Sequence, residues 1–408
     1  MLELLSLLGL VVILGLAWLL SIDRRAIRWR PVLVGTALQF GFALIILRTT
    51  PGQKFFAVLG DIVRAFLDFT DAGAIFVFGE RFKDFYFAFK VLPTIIFFSS
   101  FITVLYYLGV LQWVVKLFAR VMVRFMGTSG SESLSASANI FVGQTEAPLL
   151  IKPYVDSLTK SELMAVMTGG FATIAGGGMA ADVGMGDSPG HLLAAGGMAA
   201  PAGRGGGQPG VMAKLMFPEK EHSVTAGKVE VEVERPWANV IDAAASGAAD
   251  GLKLALNVGA MLIAFIGLIA LVNAALQKGG ALFGFEGLTL EWLIGWVGAP
   301  LAWVMGVDWS EAHRVGQLLG IKTVVNEFVG YVELQKMIEA GELSTRAQII
   351  ATYALCGFSN LSSIAIQIGG IGGIAPERKQ DLARLGLRAM IAGSLACFQT
   401  ATIAGILL

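Results

Sequence analysis

Long apolar runs recur along the chain, and they limit its fold more than any other feature. A helix needs roughly 17 to 25 predominantly apolar residues to cross a bilayer. Runs of about that length occur in both halves of the chain. We therefore predict membrane-spanning helices, and the clearest runs are 2–21, 32–47, 92–115, 254–276 and 389–408.

The composition agrees with a membrane protein. Only 15% of the 408 residues are charged, against about 25% in soluble domains, and the mean hydropathy is +0.71. The first run is too long and continuous for a signal peptide, so we expect it to be retained as a helix. The formal net charge is +0, so no basic field suggests nucleic acid as a partner. These features predict an all-α polytopic membrane protein.

Three charged segments indicate the topology. The basic cluster at 23–30 follows the first run, and it should remain in the cytoplasm. Residues 53–70 carry apolar side chains at helical spacing among scattered charges, which is typical of a helix lying in the membrane interface. Residues 218–250 are the most charged part of the chain, and we expect an extramembrane loop and the start of an amphipathic helix there.

Two segments contain apolar pieces that are too short to span a membrane. In the first, the pieces 112–126 and 139–152 are joined by a Gly/Ser-rich turn. In the second, 310–345, polar residues interrupt two short pieces. Such segments predict re-entrant hairpins, which are tolerated at membrane depth only where protein or water surrounds them. Paired interrupted segments in the two halves of a chain point to the binding site of a transporter.

Polar side chains concentrate in and near these segments. A carboxylate at the centre of a bilayer costs about 2.5–3.5 kcal/mol, so we expect Glu146 and Glu327 to have a function, and a structural ion pair with Lys152 or Lys322 is the alternative. Serine and threonine often bond their own helix backbone, so alone they indicate little. The polar groups are Gln144, Thr145 and Glu146; Asn326 and Glu327; Asn360, Ser362 and Ser363, with the aromatic Phe358 beside them; and Asn139 with Thr173.

The chemistry of these groups favours binding over catalysis. His191, His222 and His313 are the only histidines, and no two share a metal-ligand spacing. The chain contains no nucleophile elbow and no Walker A loop, so an intramembrane enzyme is the weaker alternative. A carboxylate can accept bonds from two hydroxyls, and an amide can both donate and accept. The residues alone indicate a transporter of a polar, uncharged organic solute.

Four motifs carry a resemblance to a known family. They are NIFVGQTEAPLLIKPY, MTGGFATIAG, NEFVGY and CGFSNLSSIAIQIGGIGGIAPER, in this order. With them the chain resembles the concentrative nucleoside transporter family in its bacterial form. The resemblance implies a homotrimer embedded in membrane lipid, with about eight transmembrane helices, one interfacial helix and two re-entrant helical hairpins per subunit. It also implies import of nucleosides across the inner (cytoplasmic) membrane, driven by sodium or, in some members, by protons.

The resemblance further implies a nucleoside site and a sodium site. Because the sodium positions supply oxygen ligands, which a hard cation prefers, we favour Na+ over protons as the coupling ion. A proton-coupled nucleoside or nucleobase symporter is the alternative. The implied residues are Gln144, Thr145 and Glu146 at the nucleobase; Glu327, Asn360 and Ser363 at the ribose, with Phe358 beside them; and Asn139, Val142, Thr173 and Ile174 at Na+.

The same resemblance divides the chain into a scaffold and a transport core, and it implies alternating access by an elevator-like movement of the core. The scaffold comprises the N-terminal helices with the interfacial helix and a later group of helices. The core comprises the two hairpins with their flanking helices, the broken helix and the last helix. The boundaries are 1–90 (scaffold), 91–217 (core), 218–250 (extramembrane loop and amphipathic segment), 251–309 (scaffold) and 310–408 (core).

One segment departs from the family pattern. About a third of residues 169–210 are glycine, where the resemblance predicts apolar helix, and ordinary usage is about 7%. Glycine costs up to about 1 kcal/mol per helical position relative to alanine. An altered stretch of sequence is the simpler interpretation of this composition, and a flexible hinge is the functional one.

Overall fold

The fold is helical throughout the part of the chain that the structure, a computed structural model, describes. That part comprises residues 2–85, 87–126, 128–139, 143–145, 147–174, 207–226, 236–285 and 287–408. Its α-helices are α1 (Leu2–Leu19), α2 (Trp29–Arg48), α3 (Thr50–Asp68), α4 (Thr70–Phe78), α5 (Leu92–Tyr107), α6 (Val110–Met126), α7 (Gly130–Ala138), α8 (Lys160–Ala172), α9 (Gly207–Met216), α10 (Val240–Ala281), α11 (Leu290–Val304), α12 (Trp309–Val324), α13 (Glu327–Glu339), α14 (Thr345–Leu355), α15 (Leu361–Ile374) and α16 (Lys379–Leu407). Shorter 3₁₀ helices lie at Glu80–Phe85, Ala147–Ser157 and Pro376–Arg378, and a π-helix lies at Phe87–Val91. The predicted all-α fold is confirmed.

Several of these helices are long and apolar enough to cross a membrane. Among the described residues there are 4, or up to 5 if the bent pair α11–α12 counts as one span. They contain the predicted runs 2–21, 32–47 and 389–408 almost in full, and the run 254–276 lies within α10. The spanning helices are Leu2–Leu19, Trp29–Arg48, Ala88–Tyr107 and Pro376–Leu407. The predicted polytopic membrane architecture is therefore confirmed.

The predicted run at 92–115 is divided between two helices. α5 ends at Tyr107 and α6 begins at Val110. Gly109 between them has a φ of 81°, a left-handed conformation that glycine adopts without a steric penalty. The chain turns at this glycine, so the last apolar residues of the run belong to α6.

The arms of the first hairpin also differ from the prediction. The Gly/Ser-rich stretch that we expected to be a turn forms α7, and the second arm is the 3₁₀ helix Ala147–Ser157. The Ser129 side chain accepts a bond from the backbone N–H of Glu132, and the Glu132 carboxylate accepts one from the backbone N–H of Ser129. This capping box pairs two otherwise free N–H groups and starts the helix, despite its many serines.

The second hairpin and the broken helix match the prediction. Val325 and Asn326 separate α12 from α13, and residues 356–360 separate α14 from α15. Gly357 lies in the second break, and a Cβ at this position would lie 2.9 Å from the carbonyl oxygen of Phe171. Only a residue without a side chain allows the break to approach α8 this closely.

Two sets of helices form the interior. α16 lies at the centre of one, where it packs against α1, α2, α8, α9, α14 and α15. In the other, α5 packs along α10, and a Cβ at Gly251 of α10 would lie 2.8 Å from Cα of Ile96. Small residues allow helix backbones to approach in this way, which is how helices gain contact energy in a membrane.

The bent pair α11–α12 allows a test of this close packing. A Cβ at Gly316 would lie 2.4 Å from the carbonyl oxygen of Gly295 and 2.6 Å from the backbone nitrogen of Ala299. Because both neighbours are backbone atoms, the two helices would have to separate. We expect Gly316→Ala to lose about 1–3 kcal/mol of stability, the usual cost of overpacking, and to lower the midpoint of thermal unfolding in detergent.

The control for this variant is Gly15→Ala in α1, where an added Cβ meets nothing within 4 Å. Both changes replace a helical glycine by the better helix former, so the control should keep or raise the midpoint. Equal midpoints for the two variants would show that the α11–α12 contact is not tight.

Candidate functional site

The two breaks in the second half of the chain place two helix N-termini inside the protein. Free N–H groups at a helix start need partners, because buried unpaired groups are costly. The Asn326 side chain accepts from the backbone N–H of Val329 at 2.9 Å. The Asn360 side chain accepts from the backbone N–H of Ser363, also at 2.9 Å. Asparagine is among the preferred residues at this position, so both helices begin at the residues that the sequence marked as polar.

Glu327 is joined directly to the start of α15. It is the first residue of α13 and is buried, and its Oε2 accepts a hydrogen bond from Nδ2 of Asn360 at 3.3 Å. Asn360 therefore caps α15 with its oxygen and orients Glu327 with its nitrogen. The carboxylate is held at the point where the two helix starts converge.

Lys322 does not pair with Glu327, although the sequence left that ion pair open. The Lys322 ammonium donates to the carbonyl oxygen of Ala354 at 2.8 Å and lies 5.9 Å from the ring centroid of Phe398. Between these two described residues the structure has no ion pair. The Glu327 carboxylate is bonded by an amide rather than by a cation, which leaves its acceptor capacity available to a ligand.

The tip of the first hairpin also contacts α15. Gln144 is buried, and its Nε2 donates to the hydroxyl of Ser363 at 3.2 Å. Thr145 packs on Gly370, where a Cβ would lie only 2.5 Å from the Thr145 methyl. Polar contacts therefore run without interruption from Gln144 through Ser363 and Asn360 to Glu327.

The break between α14 and α15 is fastened to the end of α8. The backbone N–H of Phe358 donates to the carbonyl oxygen of Thr173 at 3.3 Å, and the Ser359 hydroxyl donates to that of Phe171 at 2.8 Å. Phe358 is half-buried beside this contact. A backbone hydrogen bond thus joins Phe358, the predicted aromatic wall, to Thr173, a predicted sodium ligand.

Of the residues assigned to sodium, Asn139 directly follows α7, and Thr173 and Ile174 directly follow α8. Asn139 is 1% exposed, and its Oδ1 has no hydrogen-bond partner among the described residues. The hydroxyl of Thr173 donates to the carbonyl oxygen of Gly169 at 2.9 Å, so its lone pairs are available. Gly169 itself brings α8 close to Asn139, because a Cβ there would lie 3.2 Å from Asn139 Nδ2. A buried, unpaired amide oxygen fits a hard cation, which prefers oxygen ligands.

Of the other residues assigned to the two sites, the structure describes Ile174 but not Val142 or Glu146. Ile174 is buried directly after Thr173. The stretch 175–206 of the glycine-rich segment also lies outside the residues that the structure describes. The structure therefore brings seven assigned residues to two neighbouring places, Asn139 and Thr173 at one and Gln144, Thr145, Glu327, Asn360 and Ser363 at the other.

Two residues that the sequence did not single out hold this arrangement together. Gln367 is completely buried in α15 and donates to Oε1 of Gln144 at 2.9 Å. Arg378 follows α15 and donates to the carbonyl oxygens at the end of the 3₁₀ helix Ala147–Ser157 and in the turn after it, including that of Leu158 at 2.7 Å. Gln367 was recognisable as an amide four residues after Ser363, on the same helix face. Arg378 had no such signal, because its partners on the first hairpin are backbone carbonyl oxygens.

Known protein families match the chain along most of its length. Residues 8–81 match the model of the Na+ dependent nucleoside transporter N-terminus, and residues 191–405 match that of its C-terminus. Residues 88–188 match a model described as nucleoside recognition. An uncharacterized transporter of Haemophilus influenzae is 48% identical over 98% of this chain and 97% of its own length. Human solute carrier family 28 member 3 is 45% identical over 99% of this chain, which spans 60% of that longer protein.

Solved structures agree with these matches. The protein CNTnw in an inward-facing substrate-bound state superposes with a TM-score of 0.93 at 43% identity, covering 100% of this chain and 98% of that one. A variant of CNTnw in an outward-facing state gives a TM-score of 0.92 at 42% identity, with the same coverage.

Arg378 supplies a test of how the first hairpin is held. Its guanidinium bonds three carbonyl oxygens and Asp381 at once, and a lysine ammonium cannot reproduce this planar arrangement. We expect Arg378→Lys to accelerate hydrogen exchange of the amides in 147–157, measured by mass spectrometry, with α11 unchanged. Arg314→Lys, which alters an exposed pair with Glu342, should leave both segments unchanged. Equal exchange in 147–157 for the wild type and Arg378→Lys would contradict the role of the arginine.

Proposed function

The chain belongs to the family of Na+ dependent nucleoside transporters, and we propose that it imports nucleosides across the inner membrane by symport with sodium. As a member of this family it is a multi-pass membrane transporter and not an enzyme. The observation that carries the proposal is the row of polar contacts from Gln144 on the first hairpin to Glu327 on the second. Such a row offers donors and acceptors to both ends of one elongated polar molecule.

The chemistry of the row suggests how a nucleoside would lie. Glu327 has free acceptor positions beside Asn360, which suits the vicinal hydroxyls of a ribose. Ser363 lies between Asn360 and Gln144 and would contact the same sugar. The amide of Gln144 can donate and accept, as the edge of a nucleobase requires. We assign Gln144, Thr145 and Glu146 to the nucleobase, Glu327, Asn360 and Ser363 to the ribose, and Phe358 to the wall beside them.

The coupling ion would be held by the oxygen atoms next to this site. We assign the side chains of Asn139 and Thr173 and the backbone carbonyls of Val142 and Ile174 to Na+. The bound ion would supply positive charge to the tip of the first hairpin, which carries Gln144. The name of a relative, sodium/nucleoside cotransporter 1 of the rat, which is 44% identical over 99% of this chain, supports sodium as the coupling ion.

Alternating access would require the hairpins to move as a unit. We propose that α5 and α10 belong to the part that stays fixed and that both hairpins, α8 and α14–α16 move across it in an elevator-like manner. The boundaries at 90, 217, 250 and 309 stay predictions. The predicted core, 91–217, includes α5, and the packing of α5 along α10 favours placing it with the fixed part instead. Within residues 1–90, α1 and α2 pack against α9 and α16, and this favours placing these two helices with the moving part. Structures of CNTnw in inward-facing and outward-facing states show that CNTnw adopts both conformations.

The exposed apolar surface suggests the surroundings of the subunit. Ile263 and Leu271 of α10 are 80% and 67% exposed in the isolated chain. Side chains of this kind need an apolar neighbour. We propose that membrane lipid and the other subunits of a homotrimer supply it.

Uptake into proteoliposomes tests the function and the role of Glu327. We expect radiolabelled uridine to accumulate with an inward sodium gradient and not with choline, and uracil should not compete. Glu327→Gln should reduce uptake by more than about tenfold, because an amide offers one acceptor oxygen where a carboxylate offers two.

The control for Glu327→Gln is Glu333→Gln, which alters a surface pair with Lys336 on the same helix and should leave uptake unchanged. Uptake driven by a proton gradient in the absence of sodium would contradict the proposed coupling. Full activity of Glu327→Gln would remove this residue from the ribose site.

Sodium dependence tests the proposed ion site separately. Thr173→Val keeps the shape of the side chain but removes the hydroxyl oxygen, so we expect the half-saturating sodium concentration to rise by about tenfold. Thr168→Val is the matched control, because this buried hydroxyl on α8 also bonds only the backbone four residues earlier. If the two variants show the same sodium dependence, Thr173 is not a ligand.

A further inference from the structure

We propose that Gln367 is a positioning residue that fixes which end of the Gln144 amide faces the nucleobase. The inference rests on the proposed function, because it takes Gln144 as a nucleobase contact. Gln367 would then determine selectivity among nucleobases through Gln144, without reaching the ligand itself.

Gln367 is held at a fixed place by two acceptors. Its Nε2 donates to Oε1 of Gln144 at 2.9 Å and to the carbonyl oxygen of Met167 at 3.1 Å. The side chain is 0% exposed. Two hydrogen bonds from one nitrogen use both of its hydrogens, so this amide has no freedom to rotate without losing a bond.

The room for this arrangement is provided by α8. A Cβ at Gly170 would lie 2.8 Å from Cβ of Gln144 and 2.8 Å from Nε2 of Gln367. A larger residue would therefore push the two glutamines apart. The contact is built from three elements that are distant in the chain: the tip of the first hairpin, α8 and α15.

The polarity of the contact follows from the Met167 carbonyl. A backbone carbonyl only accepts, so the NH₂ end of Gln367 must face it. The same NH₂ group then donates to Gln144, which must present its oxygen there. Nε2 of Gln144 is left to donate to Ser363. An amide of nearly symmetrical shape is thereby given a single orientation by one atom of α8.

This orientation leaves the acceptor oxygen of Gln367 without a partner among the described residues. This oxygen, Oε1, is buried. Leaving a buried acceptor unpaired is unfavourable. Nε2 of Gln367 makes two hydrogen bonds and Oε1 makes none among the described residues. We therefore infer that the role of Gln367 is to donate a hydrogen bond to Gln144.

The orientation matters because, among the described residues, the Gln144 amide is left with one N–H and one lone pair that are not hydrogen-bonded. One hydrogen is used by Ser363 and one lone pair is used by Gln367. Uracil and cytosine have similar shapes, but they exchange donor and acceptor at positions 3 and 4 of the ring. An amide that cannot rotate discriminates between these two patterns, and a rotated amide discriminates in the opposite sense.

The test is Gln367→Glu, a change of nearly equal shape. An ionised carboxylate donates nothing, and a protonated one has a single hydrogen, which the Met167 carbonyl would take. In both states the side chain can only accept from Gln144, which must rotate. We expect the ratio of the uridine and cytidine dissociation constants, measured by calorimetry on the full chain in detergent with sodium, to change by about tenfold. The ratio for uridine and 2′-deoxyuridine, which reports on the ribose, should stay constant.

Two further variants keep the test decisive. Gln367→Met has a similar volume and no donor, so it should shift the uridine-to-cytidine ratio even if Gln367→Glu does not fold. Gln399→Glu changes another buried amide, in α16, which donates to Thr36, and it should leave the ratio unchanged. If Gln367→Glu and Gln367→Met weaken uridine and cytidine by the same factor, or weaken neither, the residue is only structural and the proposal is wrong. A wild-type protein that binds neither nucleoside would instead overturn the proposed function.

Discussion

Unpaired backbone N–H groups at the starts of α13 and α15 are the constraint on which the site depends. Both helices begin inside the protein, where a free donor has no water to bond. Asn326 and Asn360 satisfy these donors. Each cap is an amide that has further hydrogen-bonding groups, and in Asn360 the nitrogen bonds Glu327. The asparagine amides that satisfy the broken helices therefore also place polar groups inside the protein.

On the first hairpin, too, polar residues at the helix ends contribute to the site. α7 starts with the Ser129–Glu132 capping box and is followed by Asn139, whose side-chain oxygen is unpaired among the described residues. The following tip places Gln144 against Ser363. Arg378 holds the end of the second arm from the opposite half of the chain. Both halves therefore contribute to one site, and neither half forms it alone.

The sequence predicted the parts of this site that depend on residue type. Glu327 and Asn360 were recognisable because polar side chains are expensive in an apolar chain. The helix α7 was not predicted, because a run rich in glycine and serine has the composition of a turn, and the Ser129–Glu132 capping box was not considered. Gln367 was missed although it follows Ser363 by four residues on the same helix face, because its partner Gln144 lies 223 residues away in the sequence. The division of 92–115 at Gly109 was missed because the hydropathy does not change there.

We propose that nucleoside and sodium occupy neighbouring sites and that each ligand stabilises the binding of the other. Linkage requires the two ligands to change each other's affinity by the same factor. Calorimetry on the purified protein can measure the dissociation constant of uridine with and without sodium, and that of sodium with and without uridine. We expect both ratios to exceed about tenfold and to agree within error. A uridine dissociation constant that is the same in sodium and in choline would contradict this linkage between the two sites.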